Sequence, residues 1–268
     1  MNKPRILGIQ MQPELGKKQA NLDKVKQFVE QYAWYKPDLI VLPEVFNVGV
    51  DHKDLQKLAE PIPGGQTTDL LMDLAKKYST NIIGGSYIEK LPDGEHKNTC
   101  PVINRQGEII AKYHKIHLFN YHGSEESKCV TPGCKANIVE TDIGKIGLTI
   151  CFDIRFPELY RCLTYAGAEI ITNVAAFPYP KYDHWVTLHK ARAIENLAYV
   201  VTVNQCGRVD IKRQNLGMSM VINPWGDVIA SAGTDEGVMM AEIDMEYLKK
   251  TREAFPVLGD RCVNAYIT

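Results

Sequence analysis

The chain of 268 residues carries 31 Lys and Arg against 32 Asp and Glu, which gives a formal net charge of -1. Hydrophobic residues make up 45% and charged residues 24% of the sequence, and these ordinary proportions exclude disorder as the main state. The balanced charge gives no indication of nucleic acid or an anionic membrane as a partner, so we expect neither.

Short apolar runs alternate with helical patterns through the first half of the chain. Runs of β-forming residues predict strands over 6–10, 39–42, 81–88, 100–104, 109–114 and 146–150. Between the first two strands, apolar residues from Leu22 to Tyr32 recur at helical spacing, and Thr67 or Thr68 is predicted to cap a second helix. Pro43 follows the run 39–42, which is typical of a buried strand that leads into a functional loop.

The same alternation continues after residue 150. Pro157 lies where a helix should begin, and further helices are predicted over about 183–197 and from Met245. Strands are predicted over 169–174, 199–205, 218–222, 227–231 and 238–242. The turn sequences Pro92–Gly94 and Pro224–Asp227 favour antiparallel hairpins. We therefore predict one α/β domain over residues 1–268, with mixed sheets covered by helices.

The cellular location is predicted from the apolar runs and the cysteines. No run approaches the roughly 18 apolar residues that a membrane span needs. The short apolar stretch near the N-terminus lacks a small-residue cleavage site, so we do not expect a signal peptide. The seven cysteines are an odd number scattered through a large chain, which favours the reducing cytoplasm over a disulfide framework.

Three stretches place a reactive side chain directly after an apolar run. Glu44 follows the predicted strand 39–42, Lys115 lies in the basic run Lys112–Phe119, and Cys151 follows the strand 146–150. We expect backbone N–H groups and a neighbouring cation to lower the pKa of Cys151. Taken singly, each stretch has an ordinary alternative: a solvated glutamate, outward-facing basic residues, and a buried, inert cysteine.

Together and in this order, the three stretches resemble the nitrilase superfamily of carbon–nitrogen hydrolases. The resemblance covers nearly the whole chain, and its matching segments are Leu42–Glu44, Lys115–Phe119, Cys151–Glu158, His184–Asn196 and Asn223–Gly226. The chain looks most similar to the amidase branch that includes omega-amidase and deaminated glutathione amidase. The resemblance implies a four-layer αββα sandwich with mixed sheets, a homodimer, and an enzyme that requires no metal or organic cofactor.

The resemblance also implies the roles of individual residues. Cys151 would be the nucleophile, Glu44 the general base and Lys115 the cation that stabilises the oxyanion. Family members often add a supporting glutamate ahead of a Pro-Gly turn, and Glu126 fits that spacing better than its neighbour Glu125.

Two further residues are predicted to bind the substrate, namely Arg155 and Phe177. Arg155 lies four residues after Cys151, and in relatives similar to omega-amidase the arginine at this spacing contacts a substrate carboxylate. The alternative is that Arg155 pairs with a local carboxylate such as Asp153 or Glu158.

The implied reaction is hydrolysis of a linear amide to acid and ammonia through a cysteine thioester. The substrate would be a small carboxamide that also bears a carboxylate, such as deaminated glutathione or the omega-amide of a 2-oxo acid. Alternatives are a nitrile or carbamoyl hydrolase, an acyltransferase that passes the thioester to an amine, and a non-catalytic interaction module. The presence of Glu44, Lys115 and Cys151 together argues against the last of these.

Overall fold

The computed structural model describes residues 3–50, 55–121, 125–211, 213–262 and 265. Within these residues the α-helices are α1 Lys18–Gln31, α2 Gln66–Tyr78, α3 Pro157–Tyr165, α4 Tyr182–Asn196 and α5 Met245–Ala254. Short 3-10 helices span Ala33–Tyr35, Leu55–Leu58, Glu126–Lys128 and Cys151–Arg155. The strands are β1 Arg5–Gln10, β2 Leu39–Val41, β3 Asn81–Ile83, β4 Tyr87–Lys90, β5 His96–Ile103, β6 Ile109–His114, β7 Ile138–Thr141, β8 Gly144–Ile150, β9 Ile170–Ala175, β10 Tyr199–Asn204, β11 Cys206–Arg208, β12 Gln214–Leu216, β13 Met220–Ile222, β14 Val228–Ser231 and β15 Gly237–Glu242.

The described strands form two large mixed sheets and one small hairpin. The first sheet holds seven strands, β1 to β6 with β15, and the second holds six, β7 to β10 with β13 and β14. Each large sheet has three parallel central strands, β1–β2–β3 in one and β8–β9–β10 in the other. Antiparallel strands complete both sheets, and β11 pairs with β12 beside them.

Alternation along the central strands explains how the sheets stack. In β2, Leu39 and Val41 pack against β8 and β10 of the second sheet, whereas Ile40 between them packs against α1 and α2. On the outer face of the second sheet, Tyr160 of α3 and Trp185 of α4 are fully buried in a third apolar cluster. The layers therefore run helices, sheet, sheet, helices, which confirms the predicted αββα sandwich.

The first sheet contains a turn that fixes the chain just before Glu44. The predicted strand 81–88 is two strands, β3 and β4, because Gly84 and Gly85 turn the chain between them. Gly85 has a positive φ of 56°, and a Cβ on it would lie 2.1 Å from the carbonyl oxygen of Pro43. The Ser86 N–H donates to that same carbonyl at 3.3 Å. Only glycine permits this close approach of the two loops.

Other sequence predictions hold or fail for local reasons. The hairpins at Pro92–Gly94 and Pro224–Asp227 are confirmed, since β4 pairs antiparallel with β5 and β13 with β14. The prediction that Thr67 or Thr68 caps α2 is wrong: Gly65 is at the N-cap, and the Thr67 side chain donates to buried Glu60. No helix in the described part of the chain is long and apolar enough to cross a membrane.

Candidate active site

The three predicted reactive residues meet at one cavity. Glu44 follows β2, Lys115 follows β6 and Cys151 follows β8, so the two sheets contribute from both sides. All three line a cavity of about 420 Å³. Side chains at the strand ends of a rigid scaffold are held more accurately than side chains on free loops, and here three strand ends bring their side chains to one cavity.

A buried ion cluster lies at the base of the cavity. The Lys115 ammonium donates to Glu44 Oε1 at 2.8 Å and to both carboxylate oxygens of Glu126 at 3.0 and 2.9 Å. All three residues are at most 5% exposed. Burial alone would lower the pKa of Lys115, but the carboxylates of Glu126 and Glu44 raise it well above its usual value. Lys115 is therefore held as a cation.

Glu44 is fixed in place by groups from three other parts of the chain. Its Oε2 accepts the backbone N–H of Ala176 at 2.9 Å, and its Oε1 accepts the side-chain amide of Asn98 at 3.0 Å. The Gln205 side chain donates to the backbone carbonyl of Glu44 at 2.6 Å. The carboxylate is thus oriented before any substrate binds, which is the arrangement that general-base catalysis needs.

Cys151 lies at a strained turn between β8 and the 3-10 helix that it begins. Its φ of 47° is in the left-handed region, which costs an L-residue roughly 1–3 kcal/mol and is common at functional sites. Burial raises the pKa of Cys151 well above its usual value, and the Glu44 charge adds to that rise against the opposing effect of Lys115. The predicted lowering of this pKa is wrong, because burial and Glu44 outweigh the cation.

The supporting glutamate that approaches Lys115 is Glu126, while Glu125 lies on the surface. Glu125 is 60% exposed in its side chain and pairs with Lys128. Glu126 instead accepts the Phe119 N–H at 2.8 Å and the side-chain amide of Asn98. Burial would raise the pKa of Glu126, but Lys115 and these donors lower it.

Asp153 links the Lys115 loop to the Cys151 turn. Its Oδ2 accepts the Tyr113 hydroxyl at 2.7 Å and the Ile150 N–H at 2.9 Å. Its Oδ1 accepts the backbone N–H of His117 and contacts the ring Nδ1 of that histidine at 2.7 Å. The imidazole stacks on Phe156 with the centroids 3.5 Å apart. This fully buried carboxylate holds the Lys115 loop and the Cys151 turn in a fixed relation.

Arg155 lines the cavity, and its guanidinium has no carboxylate partner among the described residues. One guanidinium nitrogen lies 3.1 Å from Nδ1 of His184, which fixes the head group from the outside. Among the described residues no ion pair joins Arg155 to Asp153, Glu158 or any other carboxylate. The alternative of a local carboxylate partner is therefore wrong for this part of the chain.

Phe177 forms a wall of the cavity beneath Arg155. Its ring is 3% exposed and packs against Trp185 with the centroids 5.0 Å apart. The Arg155 guanidinium lies 5.8 Å from the Phe177 centroid and 5.9 Å from that of Phe152. The two rings support the arginine by cation–π contact.

Sequence reasoning missed several residues that complete the site. Asn98 is a lone polar residue in a strand, and its donation to both Glu44 and Glu126 is visible only once β5 is paired. The Ala176 N–H and Lys181 lie between predicted elements and carry no motif. Within the residues that the structure describes, no group of three or more His, Cys, Asp or Glu side chains could hold a metal ion.

The Lys115 cluster leads to a prediction about stability. Lys115→Met should lower the free energy of unfolding by about 3–5 kcal/mol at neutral pH, because it leaves two buried carboxylates without their cation. The loss should shrink as the pH falls below the usual carboxyl range, since protonation of Glu126 removes its uncompensated charge. Urea denaturation of the variant and wild type at several pH values measures both effects.

The matched control is Lys128→Met, which breaks the exposed pair with Glu125. An exposed ion pair contributes about 0–1 kcal/mol, so this variant should remain close to the wild type. Equal losses for the two variants would contradict the buried cluster as a source of stability.

Comparison with known proteins identifies the family. The carbon–nitrogen hydrolase model matches residues 8–253. Omega-amidase NIT2-B of Xenopus laevis is 35% identical over 255 residues, 93% of this chain and 92% of that protein. Deaminated glutathione amidase of Bos taurus is 36% identical over 261 residues, 93% of this chain and 79% of that protein. The chain therefore belongs to the carbon–nitrogen hydrolase family.

The solved structures agree with this assignment. Nit3 of Saccharomyces cerevisiae, a member of branch 10 of the nitrilase superfamily, superposes with a TM-score of 0.89 at 30% identity, and 95% of each chain is covered. The resemblance predicted from the sequence motifs is confirmed, and the protein is a hydrolase of carbon–nitrogen bonds.

Proposed function

We propose that the protein hydrolyses a small carboxamide that also bears a carboxylate, through a thioester on Cys151. The observation that carries the proposal is the convergence of Glu44, Lys115 and Cys151 at the base of one cavity. A thiol, a carboxylate base and a fixed cation are the groups that acyl transfer from nitrogen to water requires.

Acylation begins with the proton of Cys151. Because the pKa of the thiol is raised, the thiol is protonated at neutral pH and needs a base at the moment of attack. Glu44 lines the cavity together with Cys151, and its carboxylate takes the proton as sulfur bonds to the amide carbon. The carbonyl π electrons move to oxygen, where the Lys115 ammonium and a backbone N–H beside Cys151 stabilise the oxyanion.

Collapse of the tetrahedral intermediate breaks the carbon–nitrogen bond. Glu44 returns its proton to the leaving nitrogen, so ammonia or an amine departs and the acyl group remains on Cys151. A water molecule then gives a proton to Glu44 and adds to the thioester carbon. The second collapse releases the acid and restores the thiol. Glu126 supports both halves by holding the Lys115 ammonium in place.

The charge of the cavity wall supports an acidic substrate. Arg155 has a planar guanidinium that suits bidentate binding of a carboxylate, and Phe177 supports its flat face. Deaminated glutathione and the omega-amides of 2-oxo acids both fit this class, as the names of the relatives also suggest.

We also propose that the enzyme is a homodimer in the cytoplasm. The helical face that carries Tyr165 of α3 and Ile194 of α4 leaves both side chains nearly half exposed, as suits a contact between copies. No cysteine in the described part of the chain forms a disulfide, which supports a reducing compartment. Light scattering on the purified protein should give twice the mass of the chain.

The test of the proposed function is a substrate screen with Arg155→Lys as the variant. Succinamate, butyramide, butyronitrile and N-carbamoyl-β-alanine separate acidic amide, neutral amide, nitrile and carbamoyl hydrolysis, with the acid product measured by mass spectrometry. We expect succinamate to be the best of the four. Arg155→Lys should lower the preference for succinamate over butyramide by about 2 kcal/mol, the scale of a lost charged hydrogen bond.

Each other outcome has a definite meaning. If only butyronitrile or only N-carbamoyl-β-alanine were turned over, the enzyme would be a nitrile hydrolase or a carbamoyl hydrolase instead of an amidase. A hydroxamate formed with added hydroxylamine, in the absence of hydrolysis, would indicate an acyltransferase. An equal loss of both amides in Arg155→Lys would make the arginine a structural residue and remove the argument for an acidic substrate.

A further inference from the structure

We propose that Lys181 is a second anion-binding residue of this cavity, and that with Arg155 it selects amides bearing two carboxylates. The inference rests on the proposed function and extends the recognition by the cavity wall from one substrate carboxylate to two. It arises from a residue that the family motifs do not include and that the mechanism above does not use.

The placement of Lys181 brings a second cation to the same wall. The residue immediately precedes α4 and lines the cavity with Cys151 and Arg155. Its ammonium lies 5.4 Å from the centroid of the Phe119 ring, whereas Arg155 lies over Phe152 and Phe177. Phe119 and Phe152 are in edge-to-face contact with their centroids 5.2 Å apart, so the two cations are neighbours on one wall of the cavity.

Neither charge is compensated by the part of the protein that the structure describes. No ion pair between Lys181 or Arg155 and a carboxylate occurs within residues 3–50, 55–121, 125–211 and 213–262. The two carboxylates that line the cavity, Glu44 and Glu126, are both bound to Lys115. Arg213, a further cation of the lining, is paired with Asp210 at 2.6 Å. Two uncompensated positive charges therefore face the substrate.

The electrostatic effect of this arrangement is visible in Lys181 itself. Partial burial lowers its pKa, and repulsion from Arg155 lowers it further, with only Cys151 acting in the opposite direction. An anion bound between the two cations would relieve the repulsion, and one at each cation would neutralise both. The site is thus arranged for negative charge rather than for a neutral chain.

Two carboxylates match the wall better than one. A single carboxylate supplies one negative charge against two positive charges. When it binds Arg155 in bidentate fashion, the Lys181 ammonium, a compact point charge, has no partner of its own in a half-buried position. A second carboxylate on the same substrate removes that cost. The substrate class is therefore a monoamide of a tricarboxylic acid or another amide with two distal carboxylates.

A matched series of amides tests the inference. Pentanamide, glutaramate and the terminal monoamide of tricarballylate carry the same amide with no, one and two carboxylates. We expect the wild type to prefer the two-carboxylate amide over glutaramate in kcat/KM by about tenfold or more, the scale of one charged hydrogen bond. Lys181→Gln should abolish this preference, mainly through KM, and Lys181→Arg should retain most of it.

The control variant is Lys250→Gln on α5, which removes a lysine from a helix that contributes no residue to the cavity lining. It should match the wild type on all three amides. A wild type that does not distinguish the last two amides, or a Lys181→Gln variant that retains the preference, would overturn the inference and leave the proposed function intact.

A binding measurement keeps the two proposals separable. If the wild type turned over none of the three amides, the proposed function would fail, and calorimetry with tricarballylate and glutarate would still test Lys181. We expect the wild type to bind tricarballylate more tightly than glutarate. Lys181→Gln should bind both compounds with the same weak affinity. Equal affinities in the wild type would overturn the second anion site. Near-native thermal melting of each variant excludes misfolding as the cause.

Discussion

Cys151→Ser should abolish amide turnover, with kcat/KM lower by about 10³-fold or more, the scale of removing a nucleophile from a hydrolase. The raised pKa of the thiol explains the size of the effect. Burial and the Glu44 charge already disfavour a thiolate at this position, and an alkoxide is far harder to form than a thiolate. Because serine is nearly isosteric, the αββα sandwich should remain intact.

The nucleophile can also be observed directly. Intact-mass spectrometry of the wild type with a slow amide substrate should show an acyl adduct, and peptide mapping should place it on Cys151. The control is Cys162→Ser on α3, an exposed thiol that should be replaced with no loss of turnover. Substantial turnover by Cys151→Ser would eliminate Cys151 as the nucleophile.

The α/β class of the fold could be predicted because the central strands carry a clear pattern. Consecutive apolar residues such as Leu39, Ile40 and Val41 are buried on both faces of their strand. A series of such strands separated by helical repeats limits the fold to an α/β class. The stacking of two sheets follows from family resemblance, since periodicity cannot tell which face meets a sheet and which meets a helix.

Some strands are absent from the sequence prediction or longer than predicted, because they are polar, very short or at the edge of a sheet. The predicted strand 100–104 begins at His96, because Asn98 and Thr99 turn their polar side chains toward buried carboxylates. The strands β7, β11 and β12 were not predicted, since they are three or four residues long and lie at a sheet edge or outside both large sheets. Burial next to charge, and not apolarity, stabilises the start of β5.

The cluster of Glu44, Lys115 and Cys151 could be located from the sequence, but its electrostatics could not. The motifs around Glu44, Lys115 and Cys151 indicated which residues meet. They did not indicate that the lysine would hold two carboxylates, or that burial would raise the pKa of Cys151. Both properties depend on how much water is excluded from the cluster. The packing of the two large sheets, whose strands come from distant parts of the sequence, determines this.

Glu44→Gln separates the role of a base from that of a charge. Amide turnover should fall by about 10²–10⁴-fold, the usual contribution of a general base, because neither acylation nor hydrolysis of the thioester retains a proton acceptor. The same substitution should favour ionisation of the Cys151 thiol. Since the Glu44 charge raises the pKa of Cys151, its removal should lower that pKa.

The two effects are measured by two rates in the same variant. Ammonia or acid release reports turnover, and the pH dependence of iodoacetamide alkylation reports the thiolate of Cys151. In Glu44→Gln the alkylation profile should shift to lower pH while turnover is lost. Glu125→Gln is the matched control, since this exposed neighbour of Glu126 pairs only with Lys128 among the described residues and should change neither rate.

The combination of outcomes is what identifies the base. A variant that lost turnover and alkylation together would indicate that Glu44 acts by keeping Cys151 in position. A variant that kept most of its turnover would require another proton acceptor, and His117, oriented by Asp153 at 2.7 Å, would be the first to replace. If turnover is lost while the thiol becomes more reactive, the nucleophile is present and ionised but cannot complete the reaction. Proton transfer is then the step that Glu44 performs.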